Sequence, residues 1–242
     1  MPKISVSTLS FYYWVENPRE DWINSQLQVL DWIKDVVDNV ELHMINKDIL
    51  KLTDEHILKY KQKLAPFETI TLHLPSNFSD VFSQEEFPLV DKKINALVKE
   101  LNIKHCVFHA DHYAKAGFNF TFPVAIENPD TKSANYQNLF ELKDLNKPLV
   151  IDVNHIEEKE QSLFDKQYRS VKNRIVEIHF SVLKNDYYKK FPYVVTPHYL
   201  AYKSGQKLPQ NIPKDVIWVV EGVIPNKRMD LLKSEIELIK NY

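Results

Sequence analysis

The chain has 242 residues, 44% of them hydrophobic, enough to bury a substantial core in one large α/β domain or two small ones. Its 31 basic and 33 acidic side chains nearly cancel, for a formal net charge of −2, so the strongly basic footprint of a duplex-binding protein is missing. A single cysteine, Cys106, precludes an intrachain disulfide and suits a reducing compartment. The N-terminal MPKISVSTLS passes straight into strand-like alternation, without the charged start and apolar core of a signal peptide. No apolar run reaches membrane-spanning length. A cytoplasmic protein with no membrane partner is expected. Three glycines and no Gly/Ser-rich linker favour a single domain over residues 1–242.

Short strand patterns alternate with helical ones. KISVST (Lys3–Thr8) is the first strand. Ile23, Leu27, Leu30, Ile33 and Val37 recur at helical spacing and predict a helix near Asp21–Asp38. NVELHMI (Asn39–Ile45) is the second strand; Thr53 then caps a helix with acids in its first turn. ETITLHL (Glu68–Leu74) is the third strand, followed by a helix over Pro88–Leu101 and a fourth strand, KHCVFHA (Lys104–Ala110). The aromatic-rich Asp111–Phe122, with Gly117 inside it, reads as a loop. PVAIEN (Pro123–Asn128) is the fifth strand, and a short helix near Asn135–Leu145 precedes PLVIDV, the sixth. Ile156–Val171 reads as helix and RIVEIHF (Arg174–Phe180) as the seventh strand. An irregular region, Ser181–Lys214, leads to DVIWVVEG (Asp215–Gly222), the eighth, and a last helix spans Lys227–Asn241.

Eight strands with mostly helical crossovers predict a (β/α)8 TIM barrel with some helices shortened or missing. A doubly wound open sheet is the alternative, but it usually brings a Gly-rich phosphate turn, and neither GxGxxG nor a P-loop pattern occurs here.

Six consecutive strands finish on a potential metal ligand: His73, His109, Glu127, Asp152, His179 and Glu221. In a barrel these ends share one mouth, where active sites of this fold lie. Residues two positions earlier, Thr71, Val107, Ala125, Val150, Glu177 and Val219, share the inward face. They are small or apolar, apart from Glu177. Three carboxylates gathered in a low-dielectric mouth repel one another. A divalent cation removes that conflict, and mixed histidine and carboxylate suit zinc, manganese or iron better than calcium. His155 and His198 lie in following loops that could reach the same mouth. A lone strand-end histidine would more simply be a hydrogen-bonded structural residue, and a lone acid a helix cap; the shared position on six strands favours a site. Glu41 and His43 end the second strand on one face and could line a substrate pocket or serve structural hydrogen bonds. Lysines and tyrosines interleaved over Lys184–Lys207 could grip phosphates and stack bases or sugars, or simply pack on the barrel. Cys106 has the opposite parity to His109 and should face the helical layer.

The motifs HLP, FHAD, IEN, IDVNH, EIHF and VVEG, in this order between His73 and Glu221, resemble those of the xylose isomerase-like barrels. The pattern is most similar to the apurinic endonuclease family of the endonuclease IV type. The resemblance implies that His73 and His109 hold one metal, that Glu127 bridges to a second, and that Asp152, His179 and Glu221 complete it. It further implies a third metal on His155 and His198. The family's Asp-x-His reads Thr196-Pro197-His198 here, so a carboxylate ligand is missing and two metals are the expectation. Zinc is the first candidate and manganese the second.

Two mechanisms follow. In phosphoester hydrolysis, two metals activate water, with Glu221 or Asp152 orienting it and His155 and His198 binding the phosphate; a small phosphorylated substrate or abasic DNA would be cleaved. In sugar or sugar-phosphate isomerisation or epimerisation, Glu127, Asp152, His179 and Glu221 hold one metal, and Glu127 and Glu221 exchange a proton with the substrate. The additional pair His73 and His109 favours the hydrolase. A non-catalytic, ligand-binding barrel is the third possibility.

Overall fold

The computed structural model describes residues 2–16, 18–128, 146–155, 171–182, 186–190, 198–201 and 213–241. Eight parallel strands close on themselves in sequence order: β1 (Lys3–Ser7), β2 (Asn39–His43), β3 (Thr69–His73), β4 (Cys106–His109), β5 (Val124–Glu127), β6 (Leu149–Asp152), β7 (Ile175–Phe180) and β8 (Ile217–Val220). The seam pairs Val6 of β1 with Val220 of β8. The expected TIM barrel is what the chain forms. No helix among the described residues is long and apolar enough to cross a membrane.

The helices dock on the outward face of the strands through one continuous apolar layer, which includes Val40, Leu72, Cys106, Phe108, Ile126, Ile151, Ile178 and Trp218. α1 (Trp22–Ile33) starts at Asp21, whose carboxylate accepts the backbone N–H of Asn24. Next comes a single turn, α2 (Asp48–Lys51). α3 (Asp54–Leu64) starts at Thr53, whose hydroxyl accepts from the N–H of His56. Another single turn, α4 (Phe78–Val81), precedes α5 (Phe87–Leu101).

The aromatic segment after β4 is a loop only from Gly117 onward. Ala110–Ala116 forms a helix, α6, that ends at Gly117 with φ +60°, a left-handed C-cap that glycine adopts without steric cost. Its aromatic neighbours are core. Phe120 packs against Phe78, Phe87, Phe108 and Phe122 with ring centroids 5.3–5.8 Å apart, and Tyr113 meets Phe108 edge-on. The composition looks irregular because the helix is only two turns long. The helices expected at 135–145 and 156–170 lie outside the described residues. α7 (Met229–Asn241) closes the described chain.

Inside the barrel the strands differ by side. Val107, Ala125 and Val150 form a small apolar cluster of their own. On β1, β2, β3 and β7 the interior is polar: Ser5, Ser7, Asn39, Glu41, Thr71 and Glu177 are all buried, as is His105 just before β4, whereas β8 turns Ile217 and Val219 inward. The expected apolar floor therefore holds for β4–β6 and for Val219 on β8, while Glu177 has polar company on β1–β3.

At the mouth, Gly222 directly follows Glu221. A Cβ there would lie 2.6 Å from the backbone nitrogen of Leu200. The missing side chain lets residues 198–201 run against the end of β8, where Val223 N–H donates to the His198 carbonyl at 2.9 Å. Gly222→Ala is expected to destabilise the fold by about 1–3 kcal/mol through backbone displacement, measured by urea unfolding; an unchanged midpoint would contradict this close approach.

Candidate metal centre

The strand register sets the site. His43 pairs with His73, His109 with Glu127, and Asp152 with His179, so ligand-type residues stand side by side around half the barrel. Two bonds between backbone and side chain lock the β5 and β6 ends together: Asn128 Nδ2 donates to the Asp152 carbonyl, and Asp152 N–H donates to Asn128 Oδ1.

Glu127 lies at the centre, almost fully buried. Its Oε2 is 3.0 Å from Nε2 of both His73 and His109. Its Oε1 is 3.2 Å from Nδ1 of His179, and that nitrogen is also 3.2 Å from Oε1 of Glu221. A second group forms beside it: Asp152 Oδ2 is 3.0 Å from Nε2 of His155, and Asp152, His155 and His198 converge closely enough to share an ion. Glu127, Asp152 and Glu221 form a third such group.

The donor chemistry tests whether a cation fits. Nδ1–H of His73 donates to the Leu74 carbonyl at 2.6 Å. Nδ1–H of His155 donates to the Asn128 carbonyl at 2.8 Å. In each neutral imidazole the other nitrogen, Nε2, is then bare, and it faces a carboxylate oxygen. Lone pair against lone pair is repulsive unless a positive charge intervenes. His155 Nε2 stands 3.0 Å from Asp152 Oδ2 in the same way. Histidine with one N–H tied to a fixed oxygen and the other nitrogen turned to carboxylates is the arrangement of a metal ligand. Tetrahedral zinc, with ligands at about 2.0–2.2 Å, holds its donor atoms about 3.3–3.6 Å apart, so a small widening of these 3.0–3.2 Å separations would admit a divalent ion.

Without that ion the group holds protons instead. Burial pushes His73 down, but the hydrogen bond and charge of Glu127 outweigh it and raise its pKa to about 9. Burial opposes His155 too, and Asp152 carries it up to about 10. His179 rises well above its ordinary value against burial, through Glu221, Glu41 and Glu127. Burial would raise Glu127, yet the charges of His109 and His179 hold it well below the usual carboxylate range. Asp152 is likewise lowered against burial, by His155. Glu221 goes the other way, to about 8: burial dominates, His179 opposes, and the charges of Asp152, Glu127 and Glu41 reinforce the rise.

These residues open on a cavity of about 270 Å³ lined by His43, His73, His109, Glu127, Asp152, His155, His198 and Glu221, together with Ser7, Leu9, Tyr12, Tyr13, Ser76 and Val223. His43 is stacked on His73 with ring centroids 4.3 Å apart. Burial, then the charges of His73 and His109, keep its pKa well below the ordinary value. Burial also lowers His198. Of the two roles expected for Glu41, the structure shows the structural one and not the cavity lining: it is fully buried, and Oε2 lies 3.1 Å from Nε2 of His179, the nitrogen opposite the one that meets Glu127 and Glu221. Its position one layer down, two residues before His43, is the cause. Thr196, where the resemblance lacks an acid, lies outside the described residues, as does most of the Lys/Tyr-rich stretch. Tyr12 and Tyr13 join the cavity without having been singled out by sequence, although FYYW follows the first strand at the end where barrel sites form; they sit on a 3-10 helix, Thr8–Trp14.

No protein-family model and no curated protein matches the chain. Solved structures do. AsbF of Bacillus anthracis, a probable 3-DHS dehydratase involved in petrobactin synthesis, is 14% identical with a TM-score of 0.58 over 99% of both chains. D-Psicose 3-epimerase of Clostridium cellulolyticum H10 is 11% identical, TM-score 0.53, over 99% of this chain and 97% of that one. A xylose isomerase domain-containing protein of Salmonella typhimurium is 12% identical, TM-score 0.50, over 99% and 94%. The likeness is one of fold, over nearly the whole of each chain. None of these three is named as an apurinic endonuclease.

Zinc or manganese at 100 times its Kd is expected to stabilise the protein by about 2.7 kcal/mol, read as a rise in Tm. Glu127→Gln should abolish most of that rise, because Glu127 touches His73, His109 and His179 at once. An equal rise in the variant would remove Glu127 from the ligand set.

Proposed function

We propose that the chain is a divalent-metal-dependent enzyme that moves a proton at a carbon beside an oxygen of a small hydroxylated substrate, as a sugar or sugar-phosphate isomerase or epimerase. One observation carries this reading. Glu127, on β5, and Glu221, at the end of β8, face one cavity, each 3.2 Å from the same His179 nitrogen. Two carboxyls that face one small cavity from separate strands are suited to take a proton and to give one. The cavity suits a single small molecule rather than a duplex, and the barrel shared with D-psicose 3-epimerase supports the same chemistry.

Glu127, Asp152, His179 and Glu221 would hold the ion, zinc first and manganese second, with His73 and His109 beside Glu127. When bound, the ion polarises adjacent substrate oxygens and so acidifies the carbon between them. Glu127 is the base that takes the proton; Glu221 returns one from its own side of the cavity. Tyr12 and Tyr13 cover the substrate and limit water, and His155 and His198 bind its hydroxyl or phosphate oxygens.

Phosphoester hydrolysis is the second reading, and one feature favours it. Glu127 offers Oε2 to His73 and His109 and Oε1 to His179, a division suited to bridging two ions. Abasic DNA would be among the substrates of that reading.

Incubation with sugars and sugar phosphates in deuterated water separates the two. Deuterium is expected at the carbon beside the carbonyl, lowered by about 10²–10⁴-fold in Glu127→Gln and in Glu221→Gln. Phosphate release from a phosphoester, with no deuterium incorporated in any sugar, would decide for hydrolysis.

A further inference from the structure

Only two of the carboxylates around His179 face the cavity. Glu41 and Glu177 lie against its other nitrogen, inside the barrel, where neither lines the cavity. A buried carboxylate is costly unless it is paired and hydrogen-bonded, so a pair of them within the barrel interior calls for a task.

Glu177 and His179 are two residues apart on β7 and share its inward face. Oε1 of Glu177 accepts from Nε2–H of His179 at 3.0 Å. Its Oε2 accepts from Nε2–H of His105 at 3.1 Å. His105 immediately precedes β4, across the barrel, so Glu177 is held at both oxygens from two different strands. Glu41 brings Oε2 to 3.1 Å from the same His179 nitrogen, and neither of its oxygens is hydrogen-bonded. One N–H serves one acceptor well, and the geometry gives it to Glu177.

We propose that Glu177, clamped by His105 and backed by Glu41, is a positioning residue for His179: it keeps a ring proton on Nε2 and so makes Nδ1, turned toward Glu127 and Glu221, the nitrogen available to a cation. The use made of Nδ1 rests on the metal-dependent reading above; the hold on the ring does not. Rotating the imidazole by 180° would exchange both nitrogens for carbons and leave four carboxylates facing C–H groups. A charged acceptor behind the ring also makes Nδ1 the better electron donor. A neutral amide in place of Glu177 could itself donate to Nε2 and so favour the opposite tautomer, the failure that follows when a carboxylate behind a catalytic imidazole is made an amide.

Long-range proton–nitrogen correlation spectra of the whole protein, metal-free and then loaded with cadmium-113, test this. In the metal-free protein a proton on Nε2 of His179 should be present, downfield and slow to exchange with water. After loading, cadmium should couple to Nδ1 of His179 while Nε2 keeps its proton. Glu177→Gln should lose the slow exchange and bind cadmium about 10–100-fold more weakly. Unchanged exchange and affinity in the variant would overturn the proposal. So would coupling of cadmium to Nε2, which would instead put the ion between Glu41, Glu177 and the ring. If the variant does not fold, the wild-type spectra decide: a slow Nε2 proton supports the proposal, and its absence overturns it. A wild-type protein that keeps the slow Nε2 proton but binds no cadmium would sink the metal-dependent function and leave the role of Glu177 standing.

Discussion

A single imidazole stands between four carboxylates, two at each nitrogen. They come from β2, β5, β7 and the end of β8, so the arrangement exists only when the barrel is closed. Each carboxylate would be costly to bury alone, and each is tolerable because the ring, its neighbours or a cation supplies the opposite charge. The remaining design follows from that need. Strand register brings the ligands level, the Asn128–Asp152 reciprocal bonds fix two adjacent strand ends, and backbone carbonyls at Leu74 and Asn128 take the outward N–H groups of His73 and His155.

The barrel divides its interior between two tasks. Strands β4–β6 contribute a dry wedge of Val107, Ala125 and Val150, which lets Glu127 and Asp152 stand at the rim without polar groups beneath them. The rest of the wall carries Ser5, Ser7, Glu41, Thr71 and Glu177, interrupted on β8 by Ile217 and Val219. Electrostatic fields in the cavity are therefore set from below as well as from the rim, with His179 as the point where the two meet.

Much of this is legible in the sequence because barrel strands put their last residues at one mouth, and six strands here end on a histidine or an acid. The eightfold alternation and the parity of Cys106, which lies in the outer core, follow from period-two patterning alone. Depth is harder to read. Glu41 and His43 share a face, and only the register shows that one lines the cavity while the other lies behind His179. His105 carries the right signal, four residues before His109 and so inward, but a histidine at the foot of a strand is easily passed over. The helix Ala110–Ala116 escapes a sequence reading because two turns leave too few residues for a helical period, and its aromatic neighbours pack among themselves. Tyr12 and Tyr13 are ambiguous for a similar reason: aromatic residues beside a strand serve a core as readily as a cavity.

Residues 198–201, which carry His198, belong to none of the eight strands. They are pinned by a bridge between Val182 and Tyr199, by another between Tyr199 and Val223, and by the buried carboxylate of Glu235 on α7, which accepts the N–H of Ala201 at 2.7 Å. The last helix thus acts as a splint for one wall of the cavity. Loosening it would reach the mouth before it reached the barrel, so the geometry around His198 is governed from an element that contributes no side chain to the cavity.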